Sequence, residues 1–298
     1  MRQKNYNNRG ALMKFITRLN LLISILLLFI TIFNINMPIT SAKEQKNTLT
    51  FSNGTKVSTL FFPYRDKVNQ KIGTERSLQG MTIDAKGNYY LMYALGDKTT
   101  YGYIYKYNKK FKLVKISKKL RVGHGQAMDY HKGYLYQIVD VVGSKNYILQ
   151  RIDANTLKVI KKWTIPAEIH PNVLAMESDT TAIVVSKTTS SNVLGEGYEL
   201  NRLHIGENFR YTIRHPREKL RVDGLIGTTK GKEIQGFERT KDRYYILSNG
   251  AYTSFKHDGS DQQTVSLQTT REPEGLLFNS KGKMLVLFNK VNEVFIEQ

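Results

Sequence analysis

From Thr48 to the C-terminus the chain is a succession of short runs in which apolar and polar positions alternate, broken by Gly, Asn, Asp and Lys. A period of two puts alternate side chains on opposite faces, so these runs predict half-buried β-strands. Segments with the helical period are nearly absent, and only residues 167–175 leave room for one turn of helix. The expected class is all-β.

The strands repeat. Five segments open on a small or amide residue, run into apolar residues, turn, and return as a strand rich in Tyr, Leu or Val. They begin at Leu78-Gln79-Gly80-Met81, Gly125-Gln126-Ala127-Met128, Pro171-Asn172-Val173-Leu174, Ile234-Gln235-Gly236-Phe237 and Pro273-Glu274-Gly275-Leu276. Their turns carry Lys86-Gly87, Lys132-Gly133, Asp179-Thr180, Lys241-Asp242 and Lys281-Gly282, which suit tight hairpins. A third alternating strand follows each hairpin, and a fourth follows in most units, as in Lys112-Leu113-Val114-Lys115-Ile116. Four strands with a period of about 45 residues are the signature of propeller blades.

The last unit stops at Gln298 one strand short, while Thr48 to Phe51 or Val57 to Phe61 is a strand without a unit. The expectation is a five-bladed β-propeller closed by this N-terminal strand, which removes the exposed edges of an open array. An irregular β-sandwich would show the same alternation. What favours blades is Gly80, Gly125, Gly236 and Gly275 on the innermost strands, where backbones crowd around an axis.

Residues 1–42 differ in character: Arg2, Lys4, Arg9, Lys14 and Arg18 without an acid, an apolar run from Leu21 to Phe33, then Thr40-Ser41-Ala42. The run is shorter than the ~20 residues of a spanning helix. It reads as a signal peptide cleaved before Lys43, with an uncleaved anchor as the alternative and Met13 as a second candidate start. Residues 43–298 then form a single propeller domain. The chain has no cysteine, so neither a lipidated cysteine nor a disulfide can secure the exported product, and packing must hold it together.

The net charge is +20, and removal of the five positive residues in the signal segment leaves +15. An exported basic protein meets anionic wall polymers rather than nucleic acid. The expected partner is an anionic cell-wall polymer or glycan, with membrane contact only through an uncleaved signal, and the expected state is a secreted or surface-associated monomer of a Gram-positive bacterium. Basicity that serves only solubility is the plainer account.

Motifs of common catalysis are missing: no zincin His-Glu pair, no Gly-x-Ser-x-Gly and no EF-hand loop. The stretch Gly227-Thr228-Thr229-Lys230-Gly231-Lys232-Glu233 lacks phosphate-loop spacing and reads as a basic loop. No cofactor or metal is implied. The informative positions stand at the start of each innermost strand: Gln79, His124 or Gln126, Asn172, Gln235 and Glu274. In a propeller these gather at one mouth of the channel. Amides donate and accept, which suits hydroxyl-rich ligands, and a carboxylate beside an imidazole can hold a cation or move a proton. The same residues could instead bridge blades or bind channel water. His124, between Gly123 and Gly125, is the best candidate for catalysis, with Glu274 as its acid or base partner if the protein is an enzyme. The tyrosines Tyr101, Tyr103, Tyr105 and Tyr107, beside Lys106, Lys109 and Lys110, either stack on sugar rings or pack between blades.

The segments Gln79-Gly80-Met81, Gly123-His124-Gly125-Gln126, Gln235-Gly236-Phe237 and Glu274-Gly275 resemble the secreted propellers of the helveticin J type, which are class III bacteriocins. They are also similar to the five-bladed propeller of teichoic-acid-associated and phage receptor-binding proteins. The resemblance spans about residues 75–298. It implies a five-bladed fold and an envelope-related role, as a bacteriocin or a wall-polymer recognition protein, and implies no catalytic set. Two other functions fit the residues: an extracellular hydrolase or lyase acting on an anionic or sugar polymer through His124 and Glu274, and a glycan-binding adhesin.

Overall fold

The computed structural model describes residues 46–63, 77–95, 100–140, 147–188, 197–206, 213–214, 219–223, 234–289 and 291–298. The expected signal segment, residues 1–42, lies outside them. The described residues enter through β1 (Thr48–Thr50) and β2 (Lys56–Phe61) and then make four sheets in chain order. The first holds β3 (Ser77–Ile83), β4 (Tyr89–Ala94), β5 (Tyr101–Tyr107) and β6 (Leu113–Ile116), with β7 (Leu120–Arg121) also on β5. The second holds β8 (Met128–His131), β9 (Tyr134–Val139), β10 (Tyr147–Asp153) and β11 (Val159–Ile165).

A single 3-10 turn at Ala167–Ile169 leads to the third sheet. It contains β12 (Val173–Ser178), β13 (Thr181–Thr188) and β14 (Gly197–Ile205), with β15 (Ile213–Arg214) and β16 (Lys219–Asp223) both pairing with β14. The fourth holds β17 (Ile234–Arg239), β18 (Arg243–Ser248), β19 (Ala251–Lys256) and β20 (Gln263–Ser266). The fifth is β21 (Pro273–Phe278), β22 (Met284–Phe288) and β23 (Glu293–Glu297), and β2 lies beside β23 with Val57 opposite Glu297. Every pairing is antiparallel, and the architecture is an all-β five-bladed propeller with almost no helix.

What makes a ring of five sheets is where their side chains go. Strand β4 is buried at all six positions, yet its alternate residues serve different cores. Leu91 and Tyr93 face Leu285, Leu287 and Val294 of the fifth sheet, whereas Tyr90 and Met92 face Met128, Leu135 and Ile152 of the second. The same division recurs around the axis, so the described residues form five apolar clusters, one in each seam between neighbouring sheets. Tyr105 and Tyr107 are buried in the seam of the first and fifth sheets with Tyr103 packed against them, which leaves only Tyr101 exposed, beneath Lys119. That row of tyrosines is a packing feature, and its buried members offer no face to a sugar.

Local chemistry sets the hairpins. Asp84 Oδ1 accepts from the backbone N–H groups of Lys86 (2.9 Å) and Asn88 (2.8 Å). Asn279 does the same with Lys281 (2.9 Å) and Lys283 (3.0 Å), and Asn108 with Lys110 (2.9 Å) and Lys112 (3.1 Å). A short polar side chain that caps the backbone two residues on encodes these turns. At the axis a Cβ on Gly80 would lie 2.9 Å from the carbonyl oxygen of Gly125, so the first and second sheets approach there as only glycine allows.

An ion pair with one fully buried partner stands where β2 meets β23. Glu293 is fully buried, takes Arg271 Nη1 at 2.7 Å and Asn47 Nδ2 at 3.0 and 3.1 Å, and also accepts from the Thr59 hydroxyl. Arg271 in turn covers the rings of Phe288 (4.8 Å) and Phe295 (5.4 Å) and donates to the Val291 carbonyl (2.8 Å).

Candidate functional site

Three of the candidate residues, Gln79, Gln235 and Glu274, lie in first strands, where a shared irregularity aims them, whereas His124, Gln126 and Asn172 stand just before β8 and β12. Register slips by one residue between Leu78 and Gly80, between Ile234 and Gly236, and between Pro273 and Gly275. Gln79, Gln235 and Glu274 are therefore the extra residues of three equivalent β-bulges. A bulge takes a side chain out of the strict alternation and re-aims it, here at the top of the innermost strand.

Two hydrogen-bonded groups result. Gln126 Nε2 donates to Gln235 Oε1, and Gln235 Nε2 donates to Asn249 Oδ1 at 3.0 Å, which links the second and fourth sheets across the mouth. Across the seam of the fifth and first sheets, Glu274 Oε1 accepts from Asn289 Nδ2 at 2.9 Å and from Gln79 Nε2 at 3.5 Å. Gln79, Gln235 and Glu274 are buried, whereas Gln126 and Asn172 are partly open.

His124 stands elsewhere. It is exposed and lines a cleft of about 120 Å³ with Gln126, Ile138, Asp140, Tyr147, Pro171 and Asn172. The cleft floor is fixed by Asp140, whose Oδ1 accepts the His124 backbone N–H at 2.6 Å. Tyr147 closes one side and meets His170 Nδ1 at 3.1 Å through its hydroxyl. Burial and then the nearby Asp140 push the Tyr147 phenol above its ordinary range, so it acts there as a neutral hydroxyl.

Glu274 lines a second and smaller cavity of about 10 Å³ on the axis, together with Gln126, Glu238, Met81, Met128 and Phe237. Such a space holds about one water molecule. Of the six predicted residues, His124, Gln126 and Asn172 thus share the cleft, Gln126 and Glu274 share the axial cavity, and His124 and Glu274 share neither. Burial pushes the Glu274 carboxyl up to about 8, against the pull of the Asn289 hydrogen bond. On the wall of the same cavity, burial and then Asp129 hold Glu238 well above the carboxylate range. Burial also pushes Asp129 up to about 6, although the backbone N–H groups of Met176 (2.7 Å) and Tyr130 (2.7 Å) favour its charged form. The described residues include no cluster of three or more His, Asp or Glu able to hold a metal ion.

Sequence reasoning passed over Asp140, Asn249 and Asn289. Each follows the last residue of its second strand, β9, β18 or β22, and faces the bulge residue or the turn of the first. The signal was present as a polar residue closing three apolar strands, but each of them alone looks like an ordinary turn residue. Tyr147 and Glu238 gave no signal beyond strand alternation.

No family model matches the chain, and no curated protein does. Among solved structures, the Dos1 propeller matches with a TM-score of 0.40 and 11% identity over 85% of this chain. A xylan β-1,4-xylosidase from Bacillus halodurans C-125 matches with a TM-score of 0.49 and 10% identity over 78% of it. The Kuenenia stuttgartiensis hydrazine synthase matches with a TM-score of 0.44 and 12% identity, covering 84% of this chain and 82% of that one. The chain spans 61% and 54% of the length of the first two.

Proposed function

We propose that this propeller is an exported envelope-binding protein, a wall-polymer recognition protein or bacteriocin of the helveticin J kind, which takes a polyhydroxylated, anionic wall polymer at its amide-lined mouth. The observation that carries this reading is the set of side chains around the cleft and axis. Buried Gln235 holds Gln126 and Asn249 in place, the partly open amides of Gln126, Asn172 and Asn249 face the mouth, and His124 and Tyr147 add a ring and a hydroxyl at an open edge. Such groups match the hydroxyls of a sugar or polyol chain. The positive charge of the chain supplies what the mouth lacks, a long-range attraction for a polyanion, and is screened by salt. An acid–base hydrolase built on His124 and Glu274 draws no support from two side chains that line different cavities.

Adsorption of the mature propeller to purified Gram-positive walls tests the reading. Binding is expected to fall steeply with added salt and to be lost on walls stripped of teichoic acid. Binding unchanged by either treatment would overturn it. Within the cleft, Asn172→Ala removes one donor–acceptor pair and is expected to weaken polymer binding about tenfold, the worth of one good hydrogen bond, with the melting temperature unmoved.

A further inference from the structure

We propose that Glu274 stands in the folded protein as a neutral acid, its Oε2 hydroxyl donating to Gln79 Oε1, so that a bound proton ties the fifth sheet to the first at the axis. Among the described residues, Glu274 Oε2 and Gln79 Oε1 are both buried and neither has a hydrogen-bond partner. They belong to side chains already in contact, because Gln79 Nε2 faces Glu274 Oε1. Both are acceptors, and a carboxylate brings no donor. A proton on Oε2 turns one of the two into a donor for the other and satisfies both, giving the paired hydrogen bonds of an acid against an amide.

Among the described residues no side chain donates to Glu274 Oε2. Among the described residues, the small cavity that Glu274 lines has no Lys, Arg or His on its wall. The charged groups that do face this region are acids: Glu272 acts on Glu274 directly, Glu238 lines the same cavity, and Asp129 acts on Glu238. An ionised Glu274 would therefore add like charge to a channel of low dielectric, where a bare ion is most costly. The rise of its carboxyl to about 8 agrees with the geometry. The inference rests on the fold and is independent of what the mouth binds.

The sign of the pH effect follows. A carboxyl that ionises near 4.5 when unfolded and near 8 when folded gives its full stability below the lower value. That stability is lost as pH rises toward the upper value, because the unfolded chain has already released the proton, and above it the loss is complete. The test is a carboxyl carbon NMR titration of the whole mature propeller, with the Glu274 signal assigned by its absence from Glu274→Gln. It is paired with thermal unfolding from about pH 5 to about pH 9. Glu274 is expected to titrate well above the ordinary carboxylate range, and the wild-type melting temperature is expected to fall across the window relative to Glu274→Gln and then to level. If Glu274→Gln fails to fold, sequential backbone assignment of the wild type identifies the Glu274 carboxyl signal, and its titration alone carries the same information. Titration of Glu274 in the ordinary carboxylate range, or identical pH profiles of the two proteins, would overturn the proposal. A titration point that moves with added calcium or sodium at fixed ionic strength would assign the site to a bound cation and overturn it as well.

Discussion

Changing Arg271 to Ala is expected to lower the stability of the propeller by about 3–5 kcal/mol, the cost of leaving a buried ion without its partner. Glu293 is fully buried, and Arg271 Nη1 at 2.7 Å is the cation that balances it. Asn47 and Thr59 remain as donors in the variant, but neither carries charge. Two further contacts vanish with the guanidinium: its cover over Phe288 and Phe295, and the bond to the Val291 carbonyl. For a domain of this size the loss amounts to about 6–20 °C in melting temperature. Urea unfolding gives the free energy directly. The double variant Arg271→Ala with Glu293→Gln removes both charges and should recover a large part of the loss, since a neutral amide can still pair with Asn47 and Thr59. A single-variant loss below about 1 kcal/mol would place the pair with ordinary surface bridges and refute the assignment.

This ion pair also marks where reading the sequence stops. The strand repeat was legible because it is written many times, in alternation, in turn residues such as Lys86-Gly87 and Lys281-Gly282, and in glycines at the axis. Nothing local in Arg271 or Glu293 says that they meet a residue as distant as Asn47, because that contact depends on which strands end up neighbours. The mouth was half legible. Gln79, Gln235 and Glu274 stand out as polar residues among apolar ones, and each proves to be a bulge residue. Their second-strand partners Asn249 and Asn289 were hidden, because a polar residue after a strand is what any turn would show. Strand alternation also predicted that Tyr103, Tyr105 and Tyr107 share a face without saying whether that face meets solvent or another blade. These tyrosines stand on β5, the third strand of its sheet, and it is the fifth sheet that packs over their face.

The second large effect lies at Gly123, where substitution should both strain the backbone and remove the cleft. An alanine Cβ there would lie 2.0 Å from Asp140 Oδ1, 2.4 Å from the Asp140 carbonyl oxygen and 2.7 Å from its backbone nitrogen. The first of these could yield by rotation of a side chain, but the other two are backbone atoms immediately after β9 and have little freedom. Gly123 also has φ 60°, which an L residue rarely adopts. Gly54 separates the two causes: its φ is 86°, yet a Cβ there would meet nothing within 4 Å. Gly54→Ala should therefore show the backbone cost alone, about 1 kcal/mol, with polymer binding unchanged. Gly123→Ala should cost about 3 kcal/mol or more, because Asp140 must move as well. Moving Asp140 breaks its bond to the His124 backbone and reshapes the wall shared with Asn172 and Tyr147, so wall-polymer affinity should fall by more than tenfold. Melting curves and adsorption isotherms of the two variants side by side decide the matter. If Gly123→Ala loses no more than Gly54→Ala in both, then the loop around His124 gives way freely, and the recognition geometry must be held by the buried amides Gln79 and Gln235 rather than by the cleft.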